Sequence, residues 1–230
     1  DGYFHIDDAI AQMKRASRAA WESEMLCLRP SRENAVFGDF DEERHVHEVR
    51  YDPKLEVYRA MDFGYVNPFV CLWVQVDDRG TVRVIQEYVR ARATVEVNAK
   101  AVKELGPCGE ERVGATYCDP AGAGVNDVTG TSAVNELKAM GIGCKWRQSH
   151  IMEGVELIRR SLKDGSGHSR LVVSPRCRRL IEAMKGYHYD ENRGTELPDK
   201  DGVHDHPIDA LRYFFVNYFR KPCRTKILSY

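Results

Sequence analysis

The part of the chain between residues 55 and 186 is a regular succession of short apolar runs and longer amphipathic segments. Three apolar runs come first, in 56–64, 68–76 and 81–89, and the turn sequence DDRG separates the last two. Such close spacing predicts an antiparallel meander, because a tight turn joins only antiparallel neighbours. Apolar runs then alternate with helical periodicity, which is typical of parallel strands joined by helices. We therefore expect an α/β fold whose central mixed sheet, an antiparallel three-strand meander followed by parallel strands, is flanked by helices.

The composition suits one sizeable domain. Of the 230 residues, 43% are hydrophobic, and the formal net charge is -1. No run approaches the roughly 18 apolar residues of a membrane-spanning helix, so we expect no membrane partner. The near-neutral charge argues against a uniformly basic surface but allows a local basic groove. The chain starts at Asp1 rather than Met, and we expect it to be a fragment of a longer protein.

The first fifty residues differ in character from the rest. Residues 7–26 have amphipathic helical periodicity, whereas 27–49 are charged and rich in turn formers. We interpret residues 1–52 as a linker or the tail of an absent upstream domain, residues 53–220 as the folded domain, and residues 221–230 as a basic tail.

Two aspartates directly follow apolar, strand-like runs. Asp62 closes the first run, and Asp119 closes the run RVGATYC; Gly64 and Pro120 end the strands just beyond them. In open α/β sheets, ligands collect at the carboxyl ends of the strands, so both carboxylates are predicted to lie at one binding edge. Either aspartate taken alone is better explained as an ordinary turn former.

The last helix is predicted to begin within HDHPIDALRY, residues 204–213, and it carries two further acids one turn apart. Pro207 suits the first turn, and the apolar residues beyond it surround the helix, which indicates burial against the sheet. Helix capping explains one of Asp205 and Asp209. A second carboxylate on a buried helix is costly unless a cation neutralises it, and the segment has no Lys or Arg before Arg212.

Divalent cations would remove that cost. Asp62, Asp119 and the pair Asp205 and Asp209 offer only hard oxygen ligands, which favour Mg²⁺ or Mn²⁺ over zinc. Two such ions about 3.5–4 Å apart can brace the attacking water and the leaving oxygen of a phosphodiester during in-line displacement. All four aspartates are therefore predicted to be both metal ligands and catalytic residues.

Three motifs, MDFGYVNPF, YCDPAG and HDHPIDALRYF, resemble in order and spacing those of the nuclease domain of tailed-phage terminase large subunits, which is ribonuclease H-like. The N-terminal sequences WESEMLC and VFGDF are similar to the connection between the packaging ATPase and that nuclease. The resemblance covers essentially the whole chain. It implies an endonuclease, dependent on two Mg²⁺ or Mn²⁺ ions, that cuts concatemeric double-stranded DNA in the host cytoplasm. The portal protein and the small terminase subunit are the implied partners of the full-length protein.

The same resemblance implies roles for individual acids. Asp62 would bridge both ions, Asp119 would hold one of them, and the pair Asp205 and Asp209 would complete the second site. Either member of the pair could be the primary ligand, and Asp205 is preferred.

The two histidines beside these acids, His204 and His206, are open to two interpretations. Each could orient a ligand or the leaving group, and each could equally be a simple surface residue.

Basic residues form clusters in 145–150, 159–160 and 176–179. Solvated helix faces would explain each cluster, but together they could line a groove that holds phosphates without reading bases. The predicted DNA-binding residues are Lys145, Arg147, Arg159, Arg176 and Arg179. The long polar loop 187–203 lies next to the predicted site, and we interpret it as a flap or small hairpin that admits or blocks DNA.

Other functions fit the same motifs less well. DFG at 62–64 is also a protein-kinase metal motif, but no kinase catalytic loop or glycine-rich loop accompanies it. AGAG at 121–124 is not a P-loop, so the chain is not expected to hydrolyse ATP. Two alternatives stay open: another ribonuclease H-like enzyme, such as a junction resolvase or transposase, and a non-catalytic module that docks DNA or a portal.

Overall fold

Six strands form a single mixed sheet in the computed structural model, which describes residues 6–15, 35–125, 130–189 and 197–219. The strands are β1 (Val57–Asp62), β2 (Phe69–Val76), β3 (Val82–Arg90), β4 (Val113–Cys118), β5 (Cys144–Lys145) and β6 (Leu171–Val173). Their spatial order is β5-β4-β1-β2-β3-β6. Strand β2 is antiparallel to β1 and β3, whereas β4, β5 and β6 run parallel to their neighbours. The predicted meander followed by parallel strands is confirmed.

Helices cover both faces of this sheet. They are α1 (Ile6–Arg15), α2 (Glu42–His45), α3 (Val95–Leu105), α4 (Ala133–Ala139), α5 (Ile151–Leu162), α6 (Arg178–Gly186) and α7 (Asp205–Phe219). One core lies under α5, α6 and α7, and the other lies under α3 and α4. Alternate residues of each strand serve the two cores; Ala60 belongs to the first and Met61 to the second.

Helix α7 is the central element of the first core. It packs on β1, β2 and β4 and is flanked by α5 and α6. Every residue from Asp205 to Val216 is buried, as the apolar sequence on nearly all sides of the helix predicts. No helix within the described ranges is long and apolar enough to cross a membrane.

Two elements are shorter than their sequence patterns predict. The strand expected over 144–148 pairs only at Cys144 and Lys145, because β5 lies at the sheet edge and meets β4 alone. The helix expected from Pro175 begins at Arg178, where the Glu87 carboxylate of β3 accepts hydrogen bonds from the backbone N–H groups of Arg179 and Leu180. Tertiary contacts therefore set both boundaries.

Residues 35–50 pack against the sheet domain. Val36 and Phe37 are buried in the first core, and His45 Nε2 lies 3.0 Å from the carbonyl oxygen of Leu162. The expected division at residue 52 thus runs between segments in contact, and it stays a prediction. Most of the helix expected over 7–26 and the tail 221–230 lie outside the described residues.

Candidate active site

Asp62 and Asp119 stand side by side at the carboxyl ends of two neighbouring parallel strands. Met61 of β1 pairs with Cys118 of β4, so the next residue of each strand continues the register. Ala60 and Tyr117, two positions earlier, pack in the core under α7, and strand alternation puts both aspartates on that same face. The negative charge of Asp119 is accordingly one of the causes that raise the pKa of Asp62. The two acids were predicted to meet at the carboxyl ends of the strands, and the strand register places them there.

The start of α7 brings Asp205 and His206 to the same edge. His206 Nδ1 lies 2.7 Å from Asp62 Oδ2, and His206 Nε2 lies 3.8 Å from Asp205 Oδ1. The imidazole therefore stands between two buried carboxylates. Asp205 Oδ1 and His206 Nε2 are themselves buried without a hydrogen-bond partner among the described residues. Such orphaned polar atoms are costly, and they indicate a site prepared for a further charged or polar group.

Negative charge accumulates at this edge. Burial raises the pKa of Asp62 from 3.8 to about 6, the hydrogen bond with His206 opposes the rise, and the charges of Asp209 and Asp119 add to it. The hydrogen bond with Asp62 in turn raises the pKa of His206 above its ordinary value of 6.5. A positive charge on the imidazole would partly neutralise the surrounding carboxylates.

Tyr213 is a site residue that was missed from the sequence. Burial raises the pKa of its hydroxyl, and the charges of Asp209, Asp62 and Asp119 raise it further; its ring centroid lies 4.6 Å from the guanidinium carbon of Arg212, which holds Asp209. The signal was available in the spacing, because Asp205, Asp209 and Tyr213 recur every four residues and so share one side of α7.

Asp209 is neutralised by cations of the chain itself. Arg212 Nε lies 2.9 Å from Asp209 Oδ1, and Lys200 Nζ lies 3.8 Å from Asp209 Oδ2. The buried Arg212 guanidinium also contacts Ser149 Oγ at 3.4 Å. The segment has no cation before Arg212, but Arg212 itself lies on the same helix side as Asp209 and supplies the charge. Asp205, unlike Asp209, retains an oxygen with no partner among the described residues.

The side chain of His204 has its contacts elsewhere than at the four predicted site aspartates. Its Nδ1 lies 2.5 Å from Asp201 Oδ2, and its ring covers Gly186, where an added Cβ would come within 2.4 Å of Nε2. Of the two interpretations given for His204 and His206, contact with a site acid applies to His206 alone.

The arrangement as it stands is not a closed metal cage. Within the described ranges, no group of three or more His, Cys, Asp or Glu side chains is placed to hold one ion. The reason is that protein contacts engage the acids: His206 meets Asp62, the backbone N–H of Ala121 donates to Asp119, and Arg212 holds Asp209. The donor chemistry nevertheless suits a hard dication, since buried carboxylates converge and Asp205 Oδ1 lacks a partner among the described residues.

The predicted DNA-binding residues are divided between different parts of the molecule. Lys145 pairs with Tyr117 of β4, which places Arg147 level with Asp119 if the strand direction continues. Arg159 is instead structural, because its Nε donates to the carbonyl of Val36 at 2.8 Å and its guanidinium lies over the Tyr189 ring.

The remaining two, Arg176 and Arg179, lie beyond the end of β6 and pair with Glu48 and Glu182. Strand β6 ends level with Val84, five residues before the Asp62 level on β3, or about 17 Å along the strands. The chain then returns towards that level, because the N–H of Arg179 donates to the Glu87 carboxylate of β3.

The ends of the polar loop 187–203 are paired. Tyr189 and Pro198 form an antiparallel bridge, and the N–H of Asp199 donates to the carbonyl of His188. Residues 190–196 between them lie outside the described part, so the flap stays a prediction.

A mixed sheet of this order, with acids at the ends of β1 and β4 and at the start of a buried helix, defines a ribonuclease H-like domain. Residues 59–218 match the family described as the Terminase RNaseH-like domain, and the chain belongs to that family. The resemblance to the nuclease domain of terminase large subunits is thereby confirmed.

Relatives of known identity agree with this membership. The chain is 24% identical over 194 residues to the terminase large subunit of Escherichia phage T5, covering 79% of this chain and 41% of that protein. A large terminase from a thermophilic bacteriophage superposes with a TM-score of 0.76 at 19% identity, over 95% of this chain and 53% of that one. The large terminase nuclease of thermophilic phage G20c with bound cobalt has a TM-score of 0.58 at 18% identity, over 80% and 98% of the two chains. This chain therefore spans about half the length of the first two relatives.

Proposed function

We propose that this chain is a metal-dependent DNA endonuclease, the part of a viral DNA-packaging terminase that cuts concatemeric double-stranded DNA. The observation that carries the proposal is the convergence of three buried or strand-end carboxylates, Asp62, Asp119 and Asp205, with an unbonded buried oxygen on Asp205. Support also comes from the G20c relative, described as a large terminase nuclease with bound cobalt. Another G20c structure has bound zinc.

The proposed ligand set distinguishes the two acids of α7. Asp62 would be shared by two Mg²⁺ or Mn²⁺ ions, Asp119 would hold one, and Asp205 would hold the other. Asp209 is assigned a supporting role, because its charge is already balanced by Arg212 at 2.9 Å. The preference for Asp205 expressed from the sequence is kept, and Asp209 remains near enough to influence the charge of Asp62.

The chain's own residues prepare the site for phosphodiester hydrolysis. The bound ions would supply positive charge to activate the attacking water and to stabilise the departing 3′-oxygen. Asp62 would bind an ion as the carboxylate, and His206 Nδ1 contacts only its Oδ2. A protonated His206 lies next to both Asp62 and Asp205, and it would balance part of their negative charge before an ion binds. Asp62, Asp205 and Asp209 are buried, which strengthens the charge interactions among them.

The partners follow from the same proposal. The substrate would be double-stranded DNA in the host cytoplasm, with the portal protein and the small terminase subunit engaging the full-length protein. Family membership favours this over a junction resolvase or transposase. A non-catalytic docking module is the rival that an activity test must exclude.

The decisive experiment is cleavage of supercoiled plasmid by the purified chain with Mn²⁺, Mg²⁺ or EDTA. We expect nicking and linearisation with Mn²⁺ and none with EDTA. Asp62→Ala, Asp119→Ala and Asp205→Ala should each lower the rate at least about a hundredfold, since metal assistance supplies several kcal/mol. The matched control is Asp78→Ala, because Asp78 is exposed in the β2–β3 turn, at the end of the strands away from Asp62.

Parent-like cutting by all three variants would refute the site. Cleavage confined to four-way junctions would promote the resolvase, and a parent that cuts nothing would promote the docking module.

A further inference from the structure

Exposed cations flank the acids on both sides of the sheet edge. Arg90 ends β3 and Arg92 follows it, whereas Lys145 lies on β5 and Arg147 just beyond. Arg90, Arg92 and Lys145 are exposed, and Arg147 is half-buried. None of the four side chains has an ion-pair partner within the described part of the chain. The surface therefore presents unneutralised positive charge on either side of a negative centre.

Arg92 has an unusual backbone. Its φ is 56°, and among the described residues it is the one non-glycine residue with positive φ. This conformation costs an L-residue about 1 kcal/mol or more, whereas glycine would adopt it freely. A strained residue of this kind is a reason to look for a function of its side chain.

The strained turn is tied to the acid site. The N–H of Arg92 donates to the carbonyl of Tyr65 at 2.7 Å, and Tyr65 lies three residues after Asp62 in the β1–β2 loop. In the strand register, Asp62 pairs with Val70 and Val70 with Val89, so β3 ends one residue beyond the Asp62 level. The backbone of Arg92 thus lies just past the strand level of the acids, two strands away, where it contacts the β1–β2 loop.

The opposite flank, which carries Lys145 and Arg147, is also connected to the elements that carry the acids. Lys145 pairs with Tyr117 two residues before Asp119, and Ser149 further along contacts the guanidinium of Arg212 on α7. Trp146, between Lys145 and Arg147, is 44% exposed and belongs to neither core. Cations interleaved with an exposed aromatic ring are typical of surfaces that hold a nucleic-acid strand.

The two flanks are separated by a distance that suits DNA. From β5 to β3 there are four strand intervals, or about 19 Å, with β4, β1 and β2 between them. At a rise of about 3.4 Å per base pair this corresponds to about five or six base pairs. A phosphate chain that runs between the two flanks at this end of the strands would pass the ends of β1 and β4, where Asp62 and Asp119 lie.

We propose that Arg92, together with Arg90, is a phosphate-binding anchor for DNA on the β3 flank, opposite a second anchor at Lys145 and Arg147. The inference rests on the proposed nuclease function and adds to it the path of the substrate backbone. Contacts of this kind position the strand without reading its sequence. The exposed guanidinium groups select a polyanion over an apolar protein surface as occupant.

Binding can be tested apart from cleavage. The full chain is titrated onto a fluorescein-labelled duplex of about 30 base pairs in EDTA, and anisotropy is measured between about 50 and 200 mM salt. We expect Arg90→Gln/Arg92→Gly to weaken binding about five- to tenfold and to lower the salt slope by about one per lost phosphate contact. Arg92→Gly alone should retain or raise the melting temperature, because glycine relieves the strain.

Matched variants separate charge from structure. Arg79→Gln removes an exposed arginine at the other end of β3 and should bind like the parent. Arg92→Lys keeps the charge and the strained turn and should bind within about twofold of the parent.

The proposal fails if the double variant matches Arg79→Gln in affinity and salt slope while the parent binds DNA. That result would remove Arg90 and Arg92 from the path of the DNA and leave the nuclease proposal untouched. A parent that neither binds nor cuts DNA would overturn both.

Discussion

Four aspartates of one kind occupy four different environments at the end of the sheet. Asp62 meets a histidine, Asp119 caps a short turn through Ala121, and Asp209 is paired with an arginine. Asp205 alone retains a buried oxygen that no described residue satisfies. From the sequence the four form one ligand set, because the neighbours that a carboxylate gains from distant strands and helices cannot be read from its local pattern.

The buried carboxyl of Asp62 predicts a pH dependence of stability. Since its folded-state pKa is raised, its stabilising contribution is present below 3.8 and is lost as pH rises through about 6. The raised pKa of His206 has the same sign, because stability from its protonation is also lost with rising pH. In EDTA, Asp62→Asn should therefore become progressively more stable than the parent between about pH 4 and pH 6, by up to about 3 kcal/mol.

Urea unfolding at several pH values measures this difference. Asp78→Asn in the exposed turn should follow the parent throughout. A constant difference between Asp62→Asn and the parent across the range would show that Asp62 titrates normally.

At the scale of elements, the crossing of α5 and α7 determines where the acids lie. Gly154 of α5 leaves room for the Arg212 stem, since an added Cβ would come within 2.0 Å of Arg212 Cγ and 3.2 Å of Val216 Cγ2. The guanidinium cannot move aside freely, because it is held by Asp209 and Ser149. A glycine within a helix, unfavourable by propensity, is thus required by packing.

Gly154→Ala should therefore destabilise the protein in spite of alanine's helix propensity. We expect a loss of about 1–3 kcal/mol from overpacking against a pinned side chain. Gly143→Ala is the control, because an added Cβ there meets nothing within 4 Å and should change stability by less than about 0.5 kcal/mol. Equal unfolding free energies for the two variants would mean that the Arg212 side chain can adopt another conformation that avoids the added Cβ.

At the scale of the whole molecule, two cores lie on opposite faces of one sheet, and the acids belong to the α7 face. Residues 36–46 extend that face, with Val36 and Phe37 buried in it, whereas Val49 belongs to the other core. The chain nevertheless spans only about half of the T5 protein and of the large terminase from a thermophilic bacteriophage.

If the acids form a dication site, bound metal should raise the free energy of unfolding of the whole domain. An ion present at about 100 times its Kd stabilises the folded state by about 2.7 kcal/mol, or about 5–10 °C in melting temperature for a protein of this size. Asp205→Asn should remove most of this shift, whereas Asp78→Asn should retain it. Equal melting temperatures of the parent in millimolar Mn²⁺ and in EDTA would contradict a prepared site.

The sequence by itself determined the element order, the meander followed by parallel strands, and the presence of acids at two strand ends and one helix start. These depend on local periodicity and on turn chemistry, which neighbouring residues specify. Only the tertiary structure decided that His206 sits between Asp62 and Asp205, that Arg212 neutralises Asp209, and that the backbone of Arg92 is bonded to the loop after Asp62. Those contacts depend on strand register and helix crossing, where packing of distant segments sets distances that no local pattern encodes.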